Sequence, residues 1–397
     1  MCNLRFIEVC AMPNKVLLPE NFEFCAQALR CLYWDYYPLE SLPLNFWPQN
    51  LVELHMPSSN LIQLWNGGDK PLGSLKLMDL SDSRNLIRIP DLSSIAPNLE
   101  FLYLNGCKSL VEIRSLQNLS NLVKLRMRGA NSYNCGMEEI RIPDLSSIAP
   151  NLEFLYLNGC KSLVEIPSLQ NLSNLVELRM RGSKLIQLWN GGDKPLGNLK
   201  LMDLSYSNDL IRIPNLSSIA PNLEFLYLKG CWSLVEIPSL QNLSKLTELY
   251  LNGSNKIKDC PEIPCNIRIL KLDGTGIEQL PSSINHLSQL VILSLDECIA
   301  LESLPSSIGN LKRLEELHLA ECSRLVTIPS SIGELKCLEK LFLPNCSNLA
   351  SLPESIKQLS KLKRLNLRSC ERLKSLPGLP SCLELLRAND CRSLESA

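Results

Sequence analysis

The sequence LEELHLAECSRLVTIPSSIGELKC, residues 314–337, carries the pattern that decides the fold. In its first half, Leu317 and Leu319 alternate with Glu316 and His318. A period of two is that of a β-strand with one buried face. We therefore predict a short strand whose leucines point inward and whose Glu316 and His318 point outward.

The second half of this unit predicts how the chain returns. Leu325 and Ile328 continue the core, and Pro329 ends the extended run because it lacks a backbone donor. The following SSIGEL is expected to form a short helical or 3₁₀ turn, with Ile332 and Leu335 facing inward. One unit thus predicts a strand, a turn and a return, after which the next coil begins.

The spacing Leu-x-x-Leu-x-Leu recurs along nearly the whole chain. Copies, some with Ile, Met, Val or another residue in place of a leucine, begin at Leu99, Leu152, Leu175, Leu199, Leu223, Leu290, Leu314, Leu338 and Leu362, and at Leu4, Leu29, Leu51, Leu75, Leu122, Leu246, Ile267 and Leu383. These units have the period, roughly 20 to 29 residues, that is typical of leucine-rich repeats. Because one coil cannot enclose its apolar side alone, neighbouring coils must stack with their strands about 4.8 Å apart.

The predicted fold class is α/β, a leucine-rich-repeat solenoid wound as a right-handed superhelix. Its parallel sheet is expected to curve on the concave face, with short helical or 3₁₀ returns on the convex face. Residues 1–28 are assigned to an N-terminal partial repeat and 29–397 to the solenoid. Two near-identical blocks of sequence meet at about 130–140 in a segment that does not fit the repeat period, and we predict an irregular surface loop there. Residues 383–397 are predicted to form a truncated last repeat.

Cysteines recur at the ninth position of a coil. They are Cys107, Cys160, Cys231, Cys298, Cys322, Cys346, Cys370 and Cys391. Small hydroxyl residues fill the same slot elsewhere, at Ser59, Ser83, Ser183, Ser207, Ser254 and Thr275. This exchange favours a small buried side chain that donates weakly to a backbone carbonyl of the adjacent coil. We therefore predict reduced thiols with a packing role, and we interpret Cys260 and Cys265 as loop residues rather than metal ligands.

Composition limits the classes of partner. The 397 residues carry 40 Lys and Arg against 41 Asp and Glu, so no global field favours nucleic acid or an anionic membrane. The first residues lack a secretory signal, and no apolar run approaches the roughly 18 residues of a membrane span. The sequence therefore predicts a cytoplasmic protein without a membrane span, with the nucleus as an alternative compartment.

Patterns that carry catalysis are missing. There is no G-x-S-x-G elbow, no H-E-x-x-H and no Gly-Lys pair of a phosphate-binding loop. The three histidines, His55, His286 and His318, fall in different coils. We predict that the chain is not an enzyme and has no cofactor, no metal site and no small-molecule substrate.

The outward strand positions are the candidates for partner binding. They are rich in aromatic and arginine side chains, which are enriched at protein interfaces. The predicted partner-binding residues are Tyr103, Arg126, Arg128, Tyr156, Arg179, Arg181, Tyr227, Tyr250, Glu316, His318, Phe342, Arg364 and Arg368. The alternative is that the aromatic rings merely cover neighbouring strands.

The segment LRCLYWDYYPLESLPLNFWPQNLVELHMPSSNLIQLW, residues 29–65, resembles the first repeats of plant intracellular immune receptors of the TIR, nucleotide-binding, leucine-rich-repeat class. The later IPDLSSIAPNLE, CKSLVEIPS and LPSSIGNLKRLEEL are also typical of that family. The resemblance implies a recognition module of innate immunity that binds a pathogen effector, a guarded host protein or a sibling receptor. Neither the TIR domain nor the nucleotide-binding domain precedes Met1, so we expect no NADase and no nucleotide-binding function here.

Two alternatives stay open from the sequence. A generic leucine-rich-repeat scaffold, or a decoy that associates with complete receptors, would share every feature described so far. A duplicated gene remnant would do so too.

Overall fold

The structure is a computed structural model. It describes residues 3–10, 27–43, 45–65, 71–111, 116, 119–128, 149–160, 169, 172–188 and 195–395. The chain forms two compact units. Unit one comprises Met1–Leu185 with Trp189–Leu199, and unit two comprises Ile186–Leu188 with Lys200–Ala397.

In unit one, each strand pairs in parallel with the strand of the next coil. The strands are β1 (Phe6–Cys10), β2 (Cys31–Asp35), β3 (Glu53–His55), β4 (Leu77–Asp79), β5 (Phe101–Tyr103), β6 (Lys124–Arg128), β7 (Phe154–Asn158) and β8 (Glu177–Arg179). A single-turn helix, α1 (Leu92–Ile95), returns one coil, and its first turn is capped by Asp91, whose carboxylate accepts from Ser93 N at 3.0 Å.

Unit two repeats this arrangement. Its strands are β9 (Leu201–Asp203), β10 (Phe225–Tyr227), β11 (Glu248–Tyr250), β12 (Ile269–Lys271), β13 (Ile292–Ser294), β14 (Glu316–His318), β15 (Lys340–Phe342), β16 (Arg364–Asn366) and β17 (Leu385–Arg387), each parallel to the next. The returns are helix α2 (Leu216–Ile219) and the 3₁₀ turns Ser282–His286, Ser306–Asn310, Ser330–Glu334 and Glu354–Gln358. A proline precedes each 3₁₀ turn, as predicted for Pro329.

The alternation predicted from residues 314–337 is confirmed. Leu317 and Leu319 are fully buried, whereas Glu316 and His318 are half-buried on the opposite side of β14. The register is that of stacked repeats, because Leu317 lies opposite Leu341 of the next strand. The predicted parallel solenoid is therefore correct for both units, while the predicted loop at about 130–140 lies outside the described residues.

The ninth-position cysteines donate as predicted. Across four successive coils, the thiols of Cys298, Cys322, Cys346 and Cys370 point at the backbone carbonyl of the preceding coil's inward leucine, at sulfur–oxygen distances of 3.0 to 3.2 Å. We call these four residues the cysteine ladder. Burial raises the pKa of Cys346 and Cys370 to about 12, so these thiols stay protonated at neutral pH. In the equivalent slot, the Ser254 hydroxyl donates to Leu228 O at 3.2 Å.

The residue before this slot adopts a left-handed backbone. Positive φ occurs at Tyr36, Ser58, Asp82, Gly106, Gly159, Gly182, Tyr206, Gly230, Gly253, Gly274, Glu297, Glu321, Asn345, Ser369 and Asp390. Glycine meets this demand without steric cost, and a residue with a Cβ meets it at some cost in strain. The sharp turn after each strand is therefore a feature of the repeat itself, and it carries the chain from the sheet into the return.

Candidate functional site

The outward face of each unit is made of the third, fifth and seventh residues of its coils, counted from the first leucine. All thirteen predicted partner-binding residues lie at these positions. Eight are half-buried, and the other five, Arg126, Arg128, Arg181, Arg364 and Arg368, are exposed. Side chains one coil apart are neighbours there because the strands are in register.

Glutamates at the third position hold the aromatic residues in place. In unit one, the Tyr156 hydroxyl donates to Glu177 at 2.7 Å, and Arg179 Nε donates to the same carboxylate at 3.2 Å. Burial and the hydrogen bond to Glu177 raise the pKa of Tyr156 from 10.0 to about 12. Glu177 therefore fixes both an aromatic ring and a guanidinium group, and we call this arrangement a glutamate clamp.

A second clamp of unit one was not predicted from the sequence. Glu53 accepts from the hydroxyl of Tyr33 and lies 3.3 Å from His55 Nε2. The rings of Tyr33 and His55 are stacked, with centroids 4.1 Å apart and planes inclined by 10°. Tyr33 and the Glu–x–His pattern at 53–55 can be recognised in the sequence. The contact between these side chains, however, depends on the register between two coils.

Unit two repeats the clamp twice. The Tyr227 hydroxyl donates to Glu248 at 3.0 Å, and the Tyr227 and Tyr250 rings meet edge to face at 4.8 Å. Lys271 Nζ lies 5.4 Å from the centroid of Tyr250, within the range of a cation–π contact. The predicted residues Tyr227 and Tyr250 therefore form one ordered aromatic pair.

Around β14, Glu316 is the centre of the other clamp. It lies 3.0 Å from His318 Nε2 and 2.6 Å from Lys340 Nζ. Desolvation opposes ionisation of Glu316, but the bonds to Lys340 and His318 prevail and hold its pKa below the usual range. His318 and Phe342 also touch, with centroids 4.9 Å apart.

The structure does not bring the last two predicted arginines into that cluster. Arg364 lies opposite Lys340 in the register of β15 and β16, and its side chain is exposed. Arg368 Nε lies 3.7 Å from the carboxylate of Asp390, one coil further along. This ion pair was not predicted, because Asp390 lies outside the alternating strand pattern.

In unit one, the predicted residues form a single basic and aromatic row. Arg126 lies opposite Tyr156, and Tyr156 lies opposite Arg179. The guanidinium carbons of Arg126 and Arg179 lie 5.8 and 5.6 Å from the Tyr156 ring centroid. Tyr103 continues this row on the other side of Arg126.

Two carboxylates lie side by side at the seventh position in unit two. Asp273 accepts from Asp296 N at 3.1 Å, and Asp296 accepts from Ala320 N at 2.6 Å. Burial and the neighbouring Asp273 raise the pKa of Asp296. These carboxylates are used by the backbone, and no group of three or more metal-ligating side chains occurs in the described part of the chain.

A cavity of about 180 Å³ lies among the return segments of unit two. Cys260, Glu262 and His286 contribute to its lining. Burial raises the pKa of the Cys260 thiol to about 12, and the thiol points to Pro261 O at 3.7 Å. Because nucleophilic cysteines need an accessible thiolate, this cavity offers no activated nucleophile.

Apolar side chains form a second exposed feature of unit two, on the flank that follows the cysteine slot. Ile186, Ile211 and Val235 are 48, 40 and 51% exposed, and backbone hydrogen bonds join them from coil to coil. We call these three residues the flank strip. The flank strip was not predicted from the sequence, because these residues follow the turn and do not belong to the alternation along a strand.

The described residues contain no helix with the length and hydropathy that a membrane span requires.

Comparison with known proteins identifies the repeats. A family model described as "Leucine-rich repeat region" matches residues 204–326 and 265–366, and another, "Leucine Rich Repeat", matches residues 50–67 and 174–191. Among solved structures, the leucine-rich effector protein YopM from Yersinia pestis is similar in fold, with a TM-score of 0.51 over 91% of this chain and 89% of that one at 23% identity.

Curated relatives come from Arabidopsis thaliana. Disease resistance protein RPP4 is 42% identical over 62% of this chain and 22% of its own length, and disease resistance protein RPS6 is 37% identical over 71% of this chain and 26% of its own. The chain thus spans about a quarter of the length of these relatives. It belongs to the leucine-rich-repeat proteins, and its repeats are related to the leucine-rich-repeat region of plant TIR-type nucleotide-binding disease resistance proteins.

Proposed function

We propose that this chain is a protein-binding recognition module of plant innate immunity. Its outward face, predicted to be concave, binds a pathogen effector, a guarded host protein or a sibling receptor. The chain works without catalysis, cofactor or small-molecule substrate, in the cytoplasm, with the nucleus as an alternative compartment. The relationship to disease resistance proteins supports the immune role.

One observation carries the proposal, namely the glutamate clamps of the outward face. Glu177 and Glu248 each hold a tyrosine hydroxyl, at 2.7 and 3.0 Å. An aromatic side chain that is already ordered loses less conformational entropy when a partner covers it. Tyrosine and arginine are also the side chains that most often dominate binding energy at protein interfaces. The outward face therefore presents anchors that are both suitable and pre-positioned.

The test is capture of polypeptides from infected plant tissue by the purified chain, followed by binding measurements with each captured protein. The outward-face variant carries Tyr227→Ala and Tyr250→Ala. The matched variant carries Ile211→Ser and Val235→Ser on the flank strip of the same unit. Loss of two ordered tyrosines is expected to weaken binding by about 2 kcal/mol or more, whereas the flank variant should bind like the parent chain.

Three outcomes would contradict the proposal. The first is that no polypeptide is captured. The second is that the flank variant loses binding while the outward-face variant keeps it. The third is capture of nothing but complete receptors, from infected and uninfected tissue alike and equally by the outward-face variant, which would favour the scaffold or decoy alternative. Circular dichroism of each variant controls for folding.

A further inference from the structure

The basic and aromatic row of unit one has a composition that points to one class of ligand. The third, fifth and seventh positions of the coils that carry β6, β7 and β8 hold five cations and one carboxylate, an excess of four positive charges in a chain whose formal net charge is −1. The cations are Lys124, Arg126, Arg128, Arg179 and Arg181, and the carboxylate is Glu177. We call these three coils' outward positions the basic row.

We propose that the basic row binds an extended acidic segment of a protein partner, whose carboxylates pair with Arg126, Arg128 and Arg179. This inference rests on the proposed function and specifies the partner's chemistry at one part of the outward face.

The one carboxylate of the basic row does not neutralise it. Glu177 is occupied by the Tyr156 hydroxyl and by Arg179 Nε. Arg126 and Arg128 are exposed, and neither guanidinium forms an ion pair within the described residues. Guanidinium groups match carboxylates in a planar, two-point geometry. Unpaired arginines held on a strand are therefore suited to carboxylates supplied by another chain.

Tyr156 favours a peptide over nucleic acid. Its ring lies between Arg126 and Arg179, which approach it from the two neighbouring strands at 5.8 and 5.6 Å. Single-stranded nucleic acids are usually held by bases that stack on open aromatic rings. Because guanidinium groups already cover the ring, Tyr156 serves to position the arginines and offers no stacking platform.

The register sets the spacing of the ligand's charges. Arg126 and Arg179 lie on β6 and β8, with one strand between them. Two strand spacings amount to about 9.6 Å. In a polyproline II segment, every third residue lies on the same side, about 9.3 Å further along. A carboxylate at every third residue of an extended segment that runs across the strands would therefore meet both arginines.

The experiment uses a fluorescein-labelled peptide of Glu-Pro-Pro repeats and measures its fluorescence anisotropy with the full chain. Peptides of Gln-Pro-Pro and Lys-Pro-Pro repeats, and a labelled oligothymidylate, are the comparison probes. We expect the Glu-Pro-Pro peptide to bind more tightly than all three. Its affinity should fall as salt is raised, because exposed charges are screened within about 8 Å at physiological ionic strength.

Variants test whether the basic row is the site. Arg126→Glu combined with Arg128→Glu should weaken the Glu-Pro-Pro peptide by about tenfold or more, since two exposed attractions become repulsions. The milder Arg126→Gln with Arg128→Gln should weaken it by a smaller factor, and it replaces the first pair if that pair does not fold. Arg268→Glu with Arg372→Glu, at exposed positions of unit two that lie outside the third, fifth and seventh positions of their coils, is the matched control and should bind like the parent chain.

The inference is overturned if the Glu-Pro-Pro peptide binds no better than the Gln-Pro-Pro peptide, or if the variants at Arg126 and Arg128 bind it like the parent. It is equally overturned if the oligothymidylate binds more tightly than the peptide, or if the control pair at Arg268 and Arg372 causes the larger loss. Any of these results leaves the proposed function standing when captured proteins still depend on Tyr227 and Tyr250. Failure of both experiments removes the proposed function as well.

Discussion

Replacing Cys346 by alanine is expected to destabilise the protein by about 1 to 3 kcal/mol. The Cys346 thiol lies 3.0 Å from the carbonyl oxygen of Leu319. Both residues are fully buried, and no other described residue donates to that oxygen. Alanine leaves the carbonyl oxygen buried without a hydrogen-bond donor, and a buried acceptor without a donor carries the full cost of its desolvation. The thiol is a weak donor, so the loss should fall toward the lower end of this range.

Serine at the same position is expected to be milder. In the equivalent slot, the Ser254 hydroxyl donates to Leu228 O at 3.2 Å. Cys346→Ser therefore keeps a donor of similar size, and we expect a loss of about 1 kcal/mol or less. Cys337→Ala, at a half-exposed cysteine in a return segment, is the matched control and should change stability by less than about 0.5 kcal/mol.

The assay is urea unfolding followed by circular dichroism, together with amide hydrogen exchange over residues 314–370. Exchange is needed because a solenoid is stabilised by neighbouring coils and can open locally. The predicted order of stability is parent, serine variant, alanine variant. An alanine variant as stable as the parent, or a serine variant weaker than the alanine variant, would refute a donor role for the ladder thiols.

Three further predictions test other parts of the structure. Tyr156 should ionise near pH 12 in nuclear magnetic resonance titrations, and Glu177→Gln should lower that pKa. The stability that comes from the raised pKa is present below pH 10 and is lost as pH rises toward 12. An ordinary pKa near 10 for Tyr156 would contradict the clamp. Gly333→Ala should lower the stability by about 1 to 3 kcal/mol in a thermal melt, because its Cβ would lie 2.5 Å from a backbone oxygen of the next coil. Gly378→Ala is the control, and it should be neutral or slightly stabilising because its Cβ meets nothing nearer than 3.8 Å. Equal effects of the two variants would contradict this packing. Cys265 is exposed and should react with a thiol reagent in the native protein while the cysteine ladder reacts only on unfolding; fast reaction of the ladder would show that it is not buried.

Local pattern was enough to predict the strands and their buried residues. The alternation of Leu317 and Leu319 with Glu316 and His318 is a property of consecutive residues, and a strand converts it directly into two faces. The ninth-position cysteines were predictable for a similar reason. Serine occupies the equivalent position at 254, which indicated that the slot needs a small donor. In the structure this donor forms a hydrogen bond to a backbone carbonyl.

The alternation along single strands did not predict the side-chain contacts between neighbouring coils. The clamp joins Tyr156 to Glu177 across 21 residues, and the repeats differ in length, so the sequence alone does not tell which side chains lie opposite each other. The left-handed turn could have been found, because glycine recurs at its position, as at Gly253 and Gly274. The roles of the thirteen outward residues in binding stay a prediction, as does the loop at about 130–140.

The most direct test of the central claim is a hydroxyl-radical footprint of β10 and β11, measured by mass spectrometry in the free chain and with a captured partner. We predict that Tyr227 and Tyr250 are labelled in the free chain and protected by the partner, and that Leu249 is unlabelled in both states because it is fully buried. Labelling of Leu249 in the free chain, or protection confined to the flank strip, would contradict it.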